Sequence, residues 1–559
     1  MRTKACSTPL LRSLFALAIV ACGSEPALAP IAAGPDGGVT GIGEGSTHAD
    51  AGADASTSAS DAGAPDGARA DGADATSPRA PLSKVDAYIK ASHSAANAEF
   101  GVVALSGDGN TMAVGAIAEA SCSSNQSDTG CAQAGAVYVF RLSGSAWTQE
   151  AYVKASNPGA GDKFGSSIAL STDGSTLAIG AVGEASCADG VGGVQTDNGC
   201  SHAGAAYIFR RNASAVWTQE AYLKASHSDA SDWFGARVAL SSSGDELAVS
   251  AIGESSCADG TDGDETNNGC NSAGAVYVFK RGGAATWTKH AYLKASNSRT
   301  YAGFGDAIAL SSDGLTLAVG SSGESSCATG LGGNQADTAC PYAGAVYLFH
   351  QSGAAAWSQV AYVKASTVEP DDRFGGHLAL SSDGSTMAVS ATLEGSCADG
   401  IGGSESDNAC KNAGAVFVFH LESGSYVQRA YVKASNSDKN DLFGKGLALS
   451  GDGARLAVGA QNESSCATGL GGSETNNGCE GAGAVYVFRR NAASTWTQES
   501  YVKASNTEAG DSFGYALALS GDGKLLAVGA NLEDSCADGL GGSQTDNACK
   551  SAGAVYVFR

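Results

Sequence analysis

Fourteen cysteines fall into seven pairs, and they are the chain's most regular reactive groups. In six pairs the partners are thirteen residues apart, as in Cys187 and Cys200, Cys257 and Cys270, Cys327 and Cys340, Cys397 and Cys410, Cys466 and Cys479, and Cys536 and Cys549. In the first pair, Cys122 and Cys131, they are nine apart. Such sulfurs could bind a metal or form disulfides. The spacing is not CxxC and no histidine recurs beside it, so local disulfides are expected, as in exported proteins. A carboxylate and an ammonium recur as faithfully. Glu119, Glu184, Glu254, Glu324, Glu394, Glu463 and Glu533 each stand three residues before a first cysteine. Lys90, Lys154, Lys224, Lys294, Lys364, Lys433 and Lys503 each lie in a K-A-S segment. A reaction centre needs one asymmetric constellation, whereas these groups occur seven times, so they are expected to be structural, each contributing under about 1 kcal/mol if exposed. The histidines share no register, and G-x-S-x-G, H-E-x-x-H and phosphate-loop motifs are absent. No enzyme is expected.

The elements that carry these groups repeat with them. The first cysteines step by 65, 70, 70, 70, 69 and 70 residues, so residues 85–559 form one array of seven units. Each unit reads as two short apolar runs joined by a tight turn, such as SSIALS-TDG-STLAIGA, then a long Cys-bearing loop, then GAAYIF and WTQEAYVKAS. The turn recurs at Asp108-Gly109, Asp173-Gly174, Asp313-Gly314, Asp383-Gly384, Asp452-Gly453 and Asp522-Gly523. Four antiparallel strands per unit, with no helical periodicity, give an all-β fold: a seven-bladed β-propeller with four-stranded antiparallel blades. The seventh unit stops at AVYVFR, and the strand it lacks stands near the other end as SKVDAYIKAS. Closure by this N-terminal strand, residues 84–91 against Ala554–Phe558, is expected, since an open edge invites aggregation. The small residues of the first two strands suit the crowded axis.

A Phe-Gly opens every unit: Phe100-Gly101, Phe164-Gly165, Phe234-Gly235, Phe304-Gly305, Phe374-Gly375, Phe443-Gly444 and Phe513-Gly514. With the LAVGA and GAVYVF runs that follow, it resembles the FG-GAP repeat of integrin α-chain propellers and bacterial FG-GAP lipoproteins. The resemblance implies a propeller used for adhesion, with any catalysis on a separate domain. In that family, hairpins can carry calcium on D-x-D/N-x-D-G-x-x-D. The S-x-D-G-x-x-L turns here are too short and too poor in carboxylates for a cation needing 6–8 oxygens. Calcium is conceivable only in the disulfide loops, where Asp189, Asp197 and Asn198, and likewise Asp538, Asp546 and Asn547, supply oxygens. The same residue types are ordinary turn formers.

Residues 1–22 read as a lipoprotein signal peptide. Arg2, Lys4 and Arg12 precede a short apolar stretch, and Ile19-Val20-Ala21-Cys22 resembles the bacterial lipobox, which implies lipidation at Cys22. Residues 23–83 hold no aromatic side chain and read as a disordered Ala/Gly/Asp/Ser-rich tether to the propeller of residues 84–559. The expected location is the cell envelope, at the outer membrane or cell surface, with only the lipid anchor touching membrane. A net charge of −24 speaks against nucleic acid.

Function should reside where the repeat breaks. Trp233, Arg299, Tyr301 and Tyr342 place large side chains among loops of the third and fourth units, on the face of the disulfide loops. Aromatic and arginine side chains anchor interfaces. A monomer binding a surface protein or glycan is therefore expected. The alternatives are a purely structural envelope protein, or an enzyme working in the axial funnel, which would require a non-repeating polar cluster there.

Overall fold

The computed structural model describes residues 80–352 and 356–559; the expected signal peptide, Cys22 and the segment to residue 79 lie outside them. Among the described residues there are seven four-stranded antiparallel sheets. The second is typical, with strands Phe164–Leu170, Thr176–Ala181, Ala205–Arg211 and Trp217–Leu223 paired in chain order. Its hairpin turn is held by side chains. The Ser171 hydroxyl donates to Asp173 Oδ1 at 2.6 Å and accepts from Thr176 N at 3.0 Å, while Asp173 Oδ1 accepts from Ser175 N at 2.9 Å. The S-x-D-G signature is thus a self-capping turn. Among the described residues no helix is long and apolar enough to cross a membrane.

Second strands such as Thr176–Ala181 are buried along their length, because adjoining blades cover both faces. One core cluster joins Val276, Val278 and Leu293 of blade three to Phe304, Leu317, Tyr347 and Trp357 of blade four. No blade buries its apolar surface alone. The Phe-Gly and Gly-Ala dipeptides mark the seam. Phe164 N donates to Ala134 O of the preceding blade at 2.9 Å, and a Cβ on Gly135 (φ 79°) would lie 2.2 Å from Phe164 O. Only glycine allows that approach.

Val85–Ile89 pairs antiparallel with Ala554–Phe558, from Val85 opposite Phe558 to Ile89 opposite Val555, and completes the seventh sheet. The first strand of blade one, Phe100–Leu105, packs against both Phe164–Leu170 and Ala516–Leu519, so the ring closes. Residues 80–83, expected in the tether, are built into the ring. Leu82 is buried against blades six and seven, and Arg455 donates to Ala80 O at 2.8 Å.

The two ends of the axis differ. On the turn face the hairpins are tied in a circle. Thr172 N donates to Ser242 O, Ser242 N to Ser312 O, Ser312 N to Ser382 O, Ser382 N to Gly451 O, Gly451 N to Gly521 O and Gly521 N to Gly107 O, all at 2.8–3.1 Å, and Asp108 N closes the circle on Thr172 O. On the face bearing the disulfide loops each first strand is tied instead to the segment leading into the preceding blade's third strand, as Phe164 N is to Ala134 O.

Candidate functional site

The repeated lysines and glutamates meet inside the blades. Lys90–Glu533, Lys154–Glu119, Lys224–Glu184, Lys294–Glu254, Lys364–Glu324, Lys433–Glu394 and Lys503–Glu463 are 2.6–3.0 Å apart. Six of the lysines are wholly buried, so the small contribution expected for exposed pairs does not apply. Glu254 also accepts from Tyr292 Oη and Ser256 N, each at 2.9 Å. Burial depresses the lysine pKa and the glutamate partly offsets it. The burial comes from the disulfide loop, which folds back onto the outer strand: Lys224 N donates to Gly190 O, and Gly190 N to Ala225 O, at 2.8 Å. The nine-residue loop of the first unit is too short to do this, and Lys154 keeps 8% exposure. The pairs, repeated and hydrogen-bonded, hold the blades.

Seven disulfides close these loops, Cys122–Cys131, Cys187–Cys200, Cys257–Cys270, Cys327–Cys340, Cys397–Cys410, Cys466–Cys479 and Cys536–Cys549, with Cα atoms 4.9–5.1 Å apart. The loop carboxylates serve the backbone. Asp189 Oδ1 accepts from Ser228 N at 2.8 Å, Asp197 Oδ1 from Gly199 N at 2.9 Å, Asp538 Oδ1 from Ser94 N at 2.6 Å and Asp546 Oδ1 from Ala548 N at 3.1 Å. Among the described residues, no three His, Cys, Asp or Glu side chains are grouped to hold a metal ion.

Five blades carry an aspartate just before Phe-Gly, buried in four of them and half-buried as Asp372 in the other. Burial pushes Asp162 up to about 6, Asp232, Asp372 and Asp441 up to about 7, and Asp511 up to about 8. A carboxyl whose folded pKa is raised keeps a proton that the unfolded chain releases. Its stabilisation is complete below the unfolded value near 3.8 and is lost as pH rises through 6 to 8. Asp441→Asn keeps the acceptor for Asp438 N, now at 3.0 Å, and removes the ionisation. It should gain roughly 1–3 kcal/mol at pH 8 and almost nothing at pH 4. Urea unfolding at both pH values checks this; a loss at pH 8 would contradict it.

Of the four residues expected to bind a partner, Tyr301 and Tyr342 are 46% and 37% exposed, and Trp233 is half-buried. The Arg373 guanidinium lies 5.1 Å from the Tyr342 ring centre. Arg299 turns inward instead, donating to Gln335 O and Ala336 O of the blade-four disulfide loop at 3.2 and 3.0 Å. No described hydrogen bond or ring contact joins these four to one another.

A second group breaks the repeat on the axis. First strands carry Arg237 in blade three, Asp306 in blade four, His377 in blade five, Lys445 in blade six and Tyr515 in blade seven. Small side chains at the axis were expected; these are large, polar and partly or fully exposed. The Arg237 charge reaches Asp306, His377, Lys445 and Tyr515, and blades three and seven lie far apart around the ring, so their head groups converge at its centre. Enclosure by protein raises the Asp306 and Tyr515 pKa values, with Arg237 opposing both. It depresses Lys445, and drives His377 well below its ordinary value, so the imidazole is neutral.

The family described as FG-GAP repeat matches residues 147–209, 217–279 and 496–558, each running from one outer strand to the third strand of the next blade. The chain is an FG-GAP repeat propeller. No curated protein matches it. Solved structures similar to it include a putative 6-phosphogluconolactonase from Bacteroides uniformis, at 13% identity over 70% of this chain and 84% of that one, TM-score 0.42. A chain of the Mitotic Checkpoint Complex is 12% identical over 90% and 98%, TM-score 0.43. The periplasmic gluconolactonase of Pseudomonas aeruginosa is 15% identical over 73% and 86%, TM-score 0.40.

The FG-GAP propeller's axial group was missed because its members occupy different sequence positions. Asp306, Lys445 and Tyr515 stand two residues after their Phe, whereas Arg237 and His377 stand three after. The difference has a visible cause. In blades three and five the second strand carries Ser250 and Ser390 where the other blades have glycine. Their hydroxyls accept from Arg237 N at 3.0 Å and His377 N at 3.1 Å, and pairing resumes only at Val238 and Leu378. The irregularity turns one further residue out of the ladder toward the axis. LAVSA against LAVGA was the available signal.

Proposed function

We propose that this FG-GAP propeller is a binding module of the cell envelope, exported and lipid-anchored at Cys22, that engages a surface protein or glycan with the face bearing its disulfide loops. One observation carries the reading. Tyr301 and Tyr342 are exposed aromatics at φ 61° and 56°, at two loop positions that take positive φ in every unit and that elsewhere hold Asn, Gly, Ser, Asp, Gln or His. The repeat fixes that left-handed backbone, which is costlier for a bulky aromatic than for Asn, Gly or Ser, so the departure lies in the residue type. Arg373 stacked on Tyr342, and half-buried Trp233 at the entry to blade three, add residue types that anchor interfaces. A reaction in the axial funnel is the second reading, favoured by the cluster around Arg237. No described hydrogen bond joins two of that cluster's titratable side chains, so binding is the stronger interpretation. A Trp233→Ala, Tyr301→Ala double variant should fold normally and lose at least about tenfold in attachment to cells or to a glycan array. Unchanged attachment, with loss on altering the opposite face, would overturn the assignment.

A further inference from the structure

We propose that the axial end of the ring on the disulfide-loop face is a second site that binds a small oxyanion-bearing ligand between Arg237, Arg373 and Lys445. The argument starts from charge. The chain has 57 acidic and 33 basic side chains, so carboxylates are plentiful, and every repeated lysine has its glutamate. Yet these three cations have no ion pair among the described residues. Arg237 donates only to its neighbour's carbonyl, Ala236 O at 2.8 Å; Arg373 rests on the Tyr342 ring; the Lys445 ammonium has no described hydrogen bond. They come from blades three, five and six and share one neighbourhood: burial first, then Arg237 and Arg373, depress Lys445, while Asp306 attracts all three cations. The carboxylate closest to them in charge, Asp306, is turned aside to the Ser322 hydroxyl and backbone N–H. Three cations sharing one carboxylate that is itself bonded to Ser322 leave positive charge in excess, and an anion relieves that repulsion.

The chemistry of the set narrows the ligand. Guanidinium forks pair with carboxylate or phosphate oxygens in bidentate fashion, and an ammonium adds a point charge. Neutral His377 and the protonated Tyr515 offer uncharged hydrogen bonds, which suits a ligand with hydroxyl groups beside its anionic head. The opposite end is ringed by the tied hairpin turns, so the ligand enters and leaves on the loop face. Ser250 and Ser390 are positioning residues, because they hold the irregularities that turn Arg237 and His377 inward.

Calorimetric titration of the full mature chain at low ionic strength, with inorganic phosphate and separately with citrate, tests the proposal. Saturable binding of at least one anion is expected. Arg237→Ala and Lys445→Ala should each weaken it at least tenfold, Ser250→Gly should weaken it with the fold intact, and Lys411→Ala, an exposed loop cation, should leave it unchanged. If one axial variant fails to fold, the other carries the comparison. Phosphate revealing binding where citrate does not marks a phosphate-type ligand, and the converse a carboxylate. Absence of saturable binding to both, or binding indifferent to Arg237→Ala and Lys445→Ala, overturns the proposal.

Discussion

A chain lacking residues 84–91 should have no cooperative native state at 37 °C. The deletion removes Tyr88 and Ile89, buried to 4% and 0% exposure, and burial of two such side chains is worth about 3–6 kcal/mol. It also strips Glu533 of Lys90, which sits 2.6 Å away, and an uncompensated buried charge costs about 3–5 kcal/mol. Together these reach the whole stability of a typical domain, roughly 5–15 kcal/mol. Ala554–Phe558 would become an open edge, so the product should also associate. Calorimetry and gel filtration read both effects. A monomer melting near the parent's midpoint would show that blade seven does not depend on its N-terminal strand.

The second large effect is expected from a buried pair. Lys294→Met should cost about 3–5 kcal/mol, because Glu254 would be left charged and enclosed. Adding Glu254→Gln removes that charge while Oε1 still accepts from Tyr292 Oη and Ser256 N. The double variant should recover more than half of the loss, since neutral replacement of a buried pair is often nearly free. Urea unfolding of the parent and three variants closes the cycle. Additive losses would mean the two residues do not act as a pair.

What could be seen in the sequence was whatever repeats locally. The Phe-Gly and Gly-Ala seam recurs seven times and the self-capping turn of Ser171 and Asp173 six, each within a few residues, and the strand at Val85–Ile89 matches the one the seventh unit lacks. The types and face of the Lys and Glu rings were legible too. Their burial was not, because it depends on a disulfide loop folding back so that Gly190 and Lys224 pair, 34 residues apart in the chain. Arg299 looked like a surface anchor and proves to hold the neighbouring loop, a contact to residues 36 and 37 positions away. The axial group was hidden furthest, since its convergence needs the ring and the Ser250 and Ser390 irregularities together. Positions that recur carry information about packing, and positions that differ carry it about a site.

That division of labour is the central claim: recurring positions hold the ring, and the odd ones serve binding at the expense of stability. The thermal midpoints of Arg237→Ala and Lys445→Ala, set beside that of Lys294→Met, test it most directly and need no ligand. The account predicts that Lys294→Met melts well below the parent, while both axial variants melt at or above it, because each removes one of the cations that repel one another at the axis. Axial variants that fall as far as Lys294→Met would show that Arg237 and Lys445 are structural, and would contradict the account.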